Sequence, residues 1–515
     1  MIESSLDNLD VHLLEILREE RKTRKTLYKF VDAGYISQLM ANRNHVILGR
    51  RGSGKSVLLR ELEKRCDEYS KTQVILVDIE SVAQKSYPNI IVEVLLVILR
   101  EMLKRLNAGA RIYNVFNKSK RKLAKDMEGA IEDLELLYQL ADEVKEKRKT
   151  SVTRKTEKVN KSEIAIVQTI MKLAANISNS KSYETTLEQE ETKSKLGLLF
   201  NGIRDYKDLI ERYLKNAGDK TLFLLVDDFY QIDLFFQPLI VDYLKRLFYQ
   251  IPCYLKVATI RNRSLLFVKD NLTEAGLQAH HDYTSINLDY SLADFEEANR
   301  FLSAILQNIC EGRVDVATLF GNNRVDVMNF LTEASGGNPR DFINLLRKIV
   351  NIKRQERANL IISSYDVRNA ITEYYKEIRD ETATTYLNFR VLDVFLKELV
   401  KLCQNKDDIG FYVSKKELKR YPGVSSLLGQ LADSRFIHLI TLSYTPPTAP
   451  EDSPAVVYLL SMGIYLGYIS DMTVNIIKRQ KVENAKSFPK LLLNNMTLKV
   501  TQMVPELELI GKAIE

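Results

Sequence analysis

The chain has 515 residues, 45% hydrophobic and 28% charged, with a net charge of +7. That length predicts roughly three to four domains, and that balance a folded protein rather than a disordered or fibrous one. A membrane span is excluded, because the longest uncharged apolar run, AVVYLLSMGIYLGYI at 455–469, is shorter than the ~20 residues a bilayer requires.

The acidic, polar start MIESSLDNLD is no secretory signal. Cys66, Cys253, Cys310 and Cys403 are far apart and match no zinc spacing. Reduced, buried thiols in a cytoplasmic protein are expected. The pair His280–His281 has no ligand-spaced Cys, Asp or Glu cluster and reads as surface.

Residues 1–40 read as an N-terminal helical segment. From 41 to 289 short apolar runs alternate with helical periodicity. HVIL (45–48) reads as a strand and SVLLRELEKRCDEY as its helix. QVILVDIE (73–80) is a second strand, followed by the apolar helix NIIVEVLLVILREMLKRL (89–106). TLFLLVDDF (221–229), CYLKVATIR (253–261) and TSINLDY (284–290) are the third, fourth and fifth strands. Buried strands alternating with helices predict an α/β fold with a parallel, doubly wound sheet.

About 140 residues separate the second and third strands, where a dozen or two suffice for a crossover. Residues 107–200 are therefore expected to be an insertion. Met127, Ala130, Leu134, Leu137, Ala141 and Val144 repeat at helical spacing, as do Ile166, Ile170, Leu173 and Ile177. Two readings stand: an antiparallel helical hairpin with a basic tip at 145–161, or a disordered stretch over 145–195, which is rich in Lys, Ser, Thr and Glu.

Residues 290–380 read as all-helical, with Pro339 at a first helical turn in SGGNPRDFINLLRKIVNI. Over 385–470 the order is three helices (LNFRVLDVFLKELVKL, FYVSKKELKRY with Ser414 and Glu417 as a capping box, GVSSLLGQLADS), a strand (RFIHLITLSY), a proline-rich loop and a strand (AVVYLL). That is the order of a winged helix. The tail 471–515 carries no readable pattern.

Charge is local. KSKRKLAK (118–125) has five basic residues and no acidic one, and KEKRKTSVTRKTEKVNK (145–161) is net +6, so the remainder of a +7 chain is acidic. Such patches suit a polyanion, the alternative being a solvated lysine-rich loop.

GRRGSGKS (49–56), with a strand before it and a helix after it, is a phosphate loop. Gly49, Arg50, Arg51, Gly52, Ser53, Gly54, Lys55, Ser56 and Val57 form the candidate nucleotide-binding set. The loop's N–H groups and the helix dipole face the anion. Lys55 is placed for the β- and γ-phosphates and Ser56 for Mg²⁺. Asp227 in FLLVDDF ends the third strand, suited to hold Mg²⁺ through a water, and Asp228 follows, suited either to orient the attacking water or to cap a turn. Thr259 and Arg261 end the fourth strand, where the arginine is placed to read a γ-phosphate. Arg340, at a helix start, is placed to reach over the nucleotide or, on the plainer reading, to sit on the surface.

In this order the four pieces resemble AAA+ ATPases over roughly residues 30–380, and the winged-helix-like segment resembles the origin-recognition (initiator) branch. The paired aspartates, TIR and GGNP also resemble the STAND signalling ATPases. The resemblance implies a P-loop NTPase core with a helical lid, ATP and Mg²⁺ as cofactors, Thr259 or Arg261 as first sensor and Arg340 as second. It implies either nucleotide-dependent binding of double-stranded DNA or a switch acting on a protein effector, for instance in antiviral defence. A nucleotide-dependent oligomer belongs to either. Two departures accompany it. Aspartate stands at 228 where glutamate is usual, so hydrolysis is expected to be slow. The segment after the fourth strand offers only Lys269 where an arginine finger is usual, so either a finger comes from elsewhere or ATP acts mainly as a switch.

Overall fold

The computed structural model describes residues 2–19, 31–68, 72–85, 87–113, 118–147, 186–218, 220–269, 274–356, 361–405, 410–444 and 454–464. The expected hairpin arm at 166–177, nearly all of the basic stretch 145–161, the proline-rich loop and the tail lie outside these residues. Two compact units divide the chain. The first holds residues 32–49 and 55–288. The second holds residues up to 31, the short run 50–54 and everything described from 289 onward.

The sheet unit contains β1 (His45–Leu48), β2 (Thr72–Asp78), β3 (Thr221–Asp227), β4 (Cys253–Thr259), β5 (Phe267–Lys269), β6 (Glu274–Gly276) and β7 (Thr284–Asn287). Its helices are α2 (Tyr35–Leu39), α3 (Lys55–Glu68), α4 (Asn89–Tyr113), α5 (Lys118–Lys147), α6 (Thr186–Asn216) and α7 (Gln237–Leu247). Five parallel strands run in the order β2-β3-β4-β1-β7. Leu222 to Val226 are all buried, as a strand covered on both faces requires. Register brings Asp78 beside Asp227 and Leu48 beside Thr259, so these strand ends share one rim.

The insertion is not an appendage. Leu123, Met127, Ile131, Leu134 and Leu137 of α5, with Leu196 and Leu199 of α6, belong to the same apolar cluster as the strands. Tyr243 of α7 donates to the Leu199 carbonyl at 3.1 Å. α4 overruns its expected end by seven residues, about two turns, and joins this packing.

Lys256, unremarked in the sequence, is wholly buried in β4. Its Nζ donates to the carbonyls of Ala41 and Arg43 at 2.8 Å each, lies 3.0 Å from His45 Nδ1, and stands over the Phe223 ring. These partners offset the cost of burying an ammonium. Burial still pulls the Lys256 amine down to about 7.

The second unit contains α1 (Ile2–Glu19), α8 (Phe295–Cys310), α9 (Val316–Phe320), α10 (Arg324–Ser335), α11 (Pro339–Glu356), α12 (Ser364–Thr385), α13 (Phe389–Asn405), α14 (Lys415–Arg420) and α15 (Pro422–Asp433). Leu9, Leu13 and Ile16 of α1 share a core with α8, α10, α11 and α12. Asp10 holds Arg347 at 3.2 Å and Arg354 at 3.0 Å across the α1–α11 seam. A second core surrounds α13, α15 and a three-stranded antiparallel sheet in the order β8-β10-β9: β8 (Gly410–Ser414), β9 (Ile437–Tyr444) and β10 (Ala455–Leu460).

β8 corrects one sequence reading. FYVS is strand, not the start of a helix. Phe411 and Val413 are buried while Tyr412 and Ser414 are not, a period of two, and α14 begins only at Lys415. The Ser414 hydroxyl accepts from the Glu417 N–H at 3.2 Å, capping that helix. Helix, strand, two helices and two strands complete the winged-helix order. Among the described residues, no helix is long and apolar enough to cross a membrane.

Candidate nucleotide site

The candidate residues of each unit have their own internal geometry. In the sheet unit, Gly49 donates its N–H to the Thr259 carbonyl at 3.2 Å, tying the exit of β1 to the end of β4. Lys55 is buried and its Nζ donates to the Gly49 carbonyl at 2.8 Å. The Ser56 hydroxyl lies beside the Asp227 carboxylate. Burial raises the Asp227 carboxyl, while Ser56, the Asp228 N–H and Lys55 draw it back. Lys55, Ser56 and Asp227 thus lie together. Val57 is buried.

Asp228 adopts φ 50, ψ 36. Its carboxyl is pushed up to about 6, first by burial and then by the neighbouring Asp227 charge, against the pull of Lys55. Asp78 and Glu80 add smaller upward pushes, and ligand oxygens of Asp78, Glu80 and Asp228 lie within 4.8 Å of one another. Sequence reasoning missed Asp78 and Glu80. The available signal was the acidic end of QVILVDIE, whose register partner is Asp227.

Thr259 is fully buried, and its hydroxyl pairs with that of Ser264, which in turn donates to the Ile260 carbonyl at 2.8 Å. Arg261 is exposed in a turn after β4, with no hydrogen bond or ion pair among the described residues. Lys269 pairs with Glu274 at 3.3 Å across the β5–β6 hairpin.

In the second unit, residues 50–54 meet the start of α11. The Arg50 side chain turns back, its Nη2 donating to the Gly336 carbonyl at 2.8 Å and its Nε to Asp289 at 3.4 Å. The backbone N–H of Arg50 also donates to Asp289, at 2.7 Å. This engages Arg50 away from the phosphate role assigned to its neighbours. Asn338 Nδ2 donates to the Arg51 carbonyl at 2.9 Å. The Asn338 side-chain oxygen accepts from the N–H groups of Arg340 (3.0 Å) and Asp341 (3.4 Å), capping α11 ahead of Pro339. The Arg340 N–H also reaches the Gly52 carbonyl at 3.3 Å. Gly52 is held at φ +88, and a Cβ there would lie 2.7 Å from both Arg340 Cβ and Asn338 Oδ1, so no other residue fits.

The residues present fit a magnesium nucleotide. Ser53 Oγ is buried without a hydrogen-bond partner among the described residues, a group that a phosphate oxygen would satisfy. Gly54 has φ +93 and nothing within 4 Å of a Cβ built on it. The Ser56–Asp227 pair is an oxygen donor set of the kind Mg²⁺ takes.

No family model matches the chain, nor does any curated protein. Among solved structures, it is similar to the Aeropyrum pernix ORC1 protein in complex with DNA, at 12% identity and TM-score 0.31, over 93% of this chain and 94% of that one. It is similar to Drosophila ORC bound to DNA at 10% identity and TM-score 0.32, over 90% and 92%. It is also similar to Cdc6p from Pyrobaculum aerophilum, at 13% and 0.32, over 93% and 94%. A parallel sheet in the order β2-β3-β4-β1-β7, with a glycine-rich phosphate loop leaving β1 and an aspartate ending β3, is an α/β fold of the P-loop NTPase type.

Proposed function

We propose that this protein binds ATP with Mg²⁺ through residues 49–56, hydrolyses it slowly, and engages duplex DNA according to the nucleotide held. The observation that carries the reading is the Lys55–Ser56–Asp227 cluster, which pairs the lysine and hydroxyl of the phosphate loop with a buried carboxylate. Bound Mg²⁺ would neutralise phosphate charge. Ser56 and Asp227 would hold it. Lys55 orients the β- and γ-phosphates, and Asp228 accepts the proton of the attacking water. Arg340, its stem against Gly52, reads the last phosphate, and Thr259 or Arg261 serves as the other sensor. DNA is held by the exposed Lys416, Lys419 and Arg420 of α14 and by the basic start of α5.

Calorimetry and phosphate release on the full chain test the core of this reading. ATP binding is expected to be lost in Lys55→Ala. Wild-type turnover equal to that of Lys55→Ala would remove the proposal.

One observation favours the alternative, a STAND-like switch acting on a protein effector: His438 of β9 and Arg435 just ahead of that strand pack against the GGNPRD segment, as a packing module would. A change in particle size with ATP, without DNA binding, distinguishes it.

A further inference from the structure

The segment Gly336–Asp341 has partners on two sides. Towards residues 50–54, its contacts are Arg50 to the Gly336 carbonyl, Asn338 to the Arg51 carbonyl and the Arg340 N–H to Gly52. Towards the winged helix it meets β9 and Arg435, two residues ahead of that strand. Arg435 Nε pairs with Asp341 Oδ1 at 3.1 Å. The Tyr374 hydroxyl donates to the same carboxylate oxygen at 2.7 Å and receives Arg435 Nη1 at 3.4 Å. The His438 ring lies on Gly336 so closely that a Cβ there would overlap its Nδ1 and Cε1. Ser291 donates to the Ile440 carbonyl at 2.9 Å.

Two further facts single out Arg435 and His438. Arg435 has φ 65, a region that disfavours a side chain, and it keeps that conformation while its guanidinium holds an almost wholly buried carboxylate. His438 is buried, with Nε2 lacking a hydrogen-bond partner among the described residues, so its place is set by packing on Gly336. A glycine without room for a methyl transmits displacement instead of absorbing it.

We infer that Arg435 and His438 are positioning residues: they seat the segment carrying Asn338 and Arg340 against the phosphate loop, so that a triphosphate held there fixes β9, and β9 in turn sets the preference for ATP over ADP. This rests on the ATP reading above. The reciprocity is thermodynamic, since whatever the winged helix contributes to nucleotide affinity the nucleotide returns to the winged helix.

The test uses the full chain, with ATP and ADP titrated by calorimetry. Arg435→Gln is expected to reduce the ratio of ATP to ADP affinity about tenfold, within the usual range of coupling between sites. Added to Arg340→Ala, it is expected to cost nothing further, because both act through one guanidinium. Effects that add in full, or an unchanged ratio in a variant that melts like the wild type, overturn the inference. Hydrogen exchange on the wild type is independent of any variant's folding. Saturating ATP is expected to slow exchange in Ile437–Tyr444. ATP binding that depends on Lys55 yet leaves β9 exchange unchanged overturns the coupling alone. A wild type without affinity for ATP overturns the nucleotide reading and this inference together.

Discussion

Asp228 occupies the left-handed backbone region at φ 50, immediately beyond a strand that delivers Asp227 to the rim. Aspartate and asparagine tolerate this region better than most residues, so Asp228→Asn preserves the turn while removing the ionisable group. The raised carboxyl makes a double prediction. As a general base Asp228 works only when ionised, so kcat/KM for Mg-ATP is expected to fall as pH drops below about 6. Asp228→Asn is expected to lose about a hundredfold or more in turnover while binding ATP within a few fold of wild type. Stability runs the other way. A folded-state value above the ordinary 3.8 means that the fold favours the protonated form, so this contribution to stability is present below 3.8 and lost as pH rises through about 6. Asp228→Asn is therefore expected to melt no lower than the wild type at pH 7, with its relative advantage shrinking towards pH 4. A variant that keeps full turnover, or a flat rate profile between pH 5 and 7, removes Asp228 from the chemistry.

At the scale of elements, α5 tests whether the oversized insertion is part of the core. Leu134 is fully buried in the apolar cluster that includes the strands, whereas Leu136 is 60% exposed on the same helix. Leu134→Ala is expected to cost ~2–5 kcal/mol and Leu136→Ala under ~0.5, read from urea unfolding of the full chain. Equal, small effects would make α5 an independent arm. The heptad-like spacing of Met127, Leu134 and Leu137 revealed this helix in the sequence, as unbroken apolar runs revealed the five parallel strands. Both are local periodicities. The phosphate loop and Asp227 were legible for the same reason, since strand, turn chemistry and helix adjoin in the chain. What was not legible depends on pairing at a distance. β8 passed for helix because four residues before a capping serine fit either pattern, and only β10 beside it makes Phe411 and Val413 a strand face. Asp78, Glu80, Lys256, Asp289, Arg435 and His438 gained meaning from neighbours 33 to 239 positions away. Arg50 belongs with them, because its motif position suggested phosphate while Asp289 and Gly336 claim its side chain.

For the whole molecule, the placement of charge decides how a polyanion would be held. α15 stands where a winged helix presents its reading helix, yet it offers exposed Ser425 and Ser426 and a Gln430 whose amide donates to Ser426 at 3.3 Å. No arginine or lysine lies on it, so bidentate reading of guanine is absent. The cations are one helix earlier, on α14, with Lys416, Lys419 and Arg420 exposed, and a second group begins α5, where Lys118, Arg121, Lys122 and Lys125 are exposed. Such groups contact phosphates, which fixes register and affinity without sequence preference. Each phosphate contact that is lost lowers the salt slope of binding by about 0.9. Replacing Lys416, Lys419 and Arg420 by glutamine is therefore expected to weaken duplex binding at low salt and to reduce the slope of log affinity against log salt by ~2–3, equally for unrelated sequences. The same replacement at Lys118, Arg121, Lys122 and Lys125 measures the share of α5. Binding that is indifferent to salt between ~50 and ~200 mM, or that survives both sets of replacements, would mean that neither basic group holds DNA, and the winged helix would then be left with its packing role against Gly336 and Asp341.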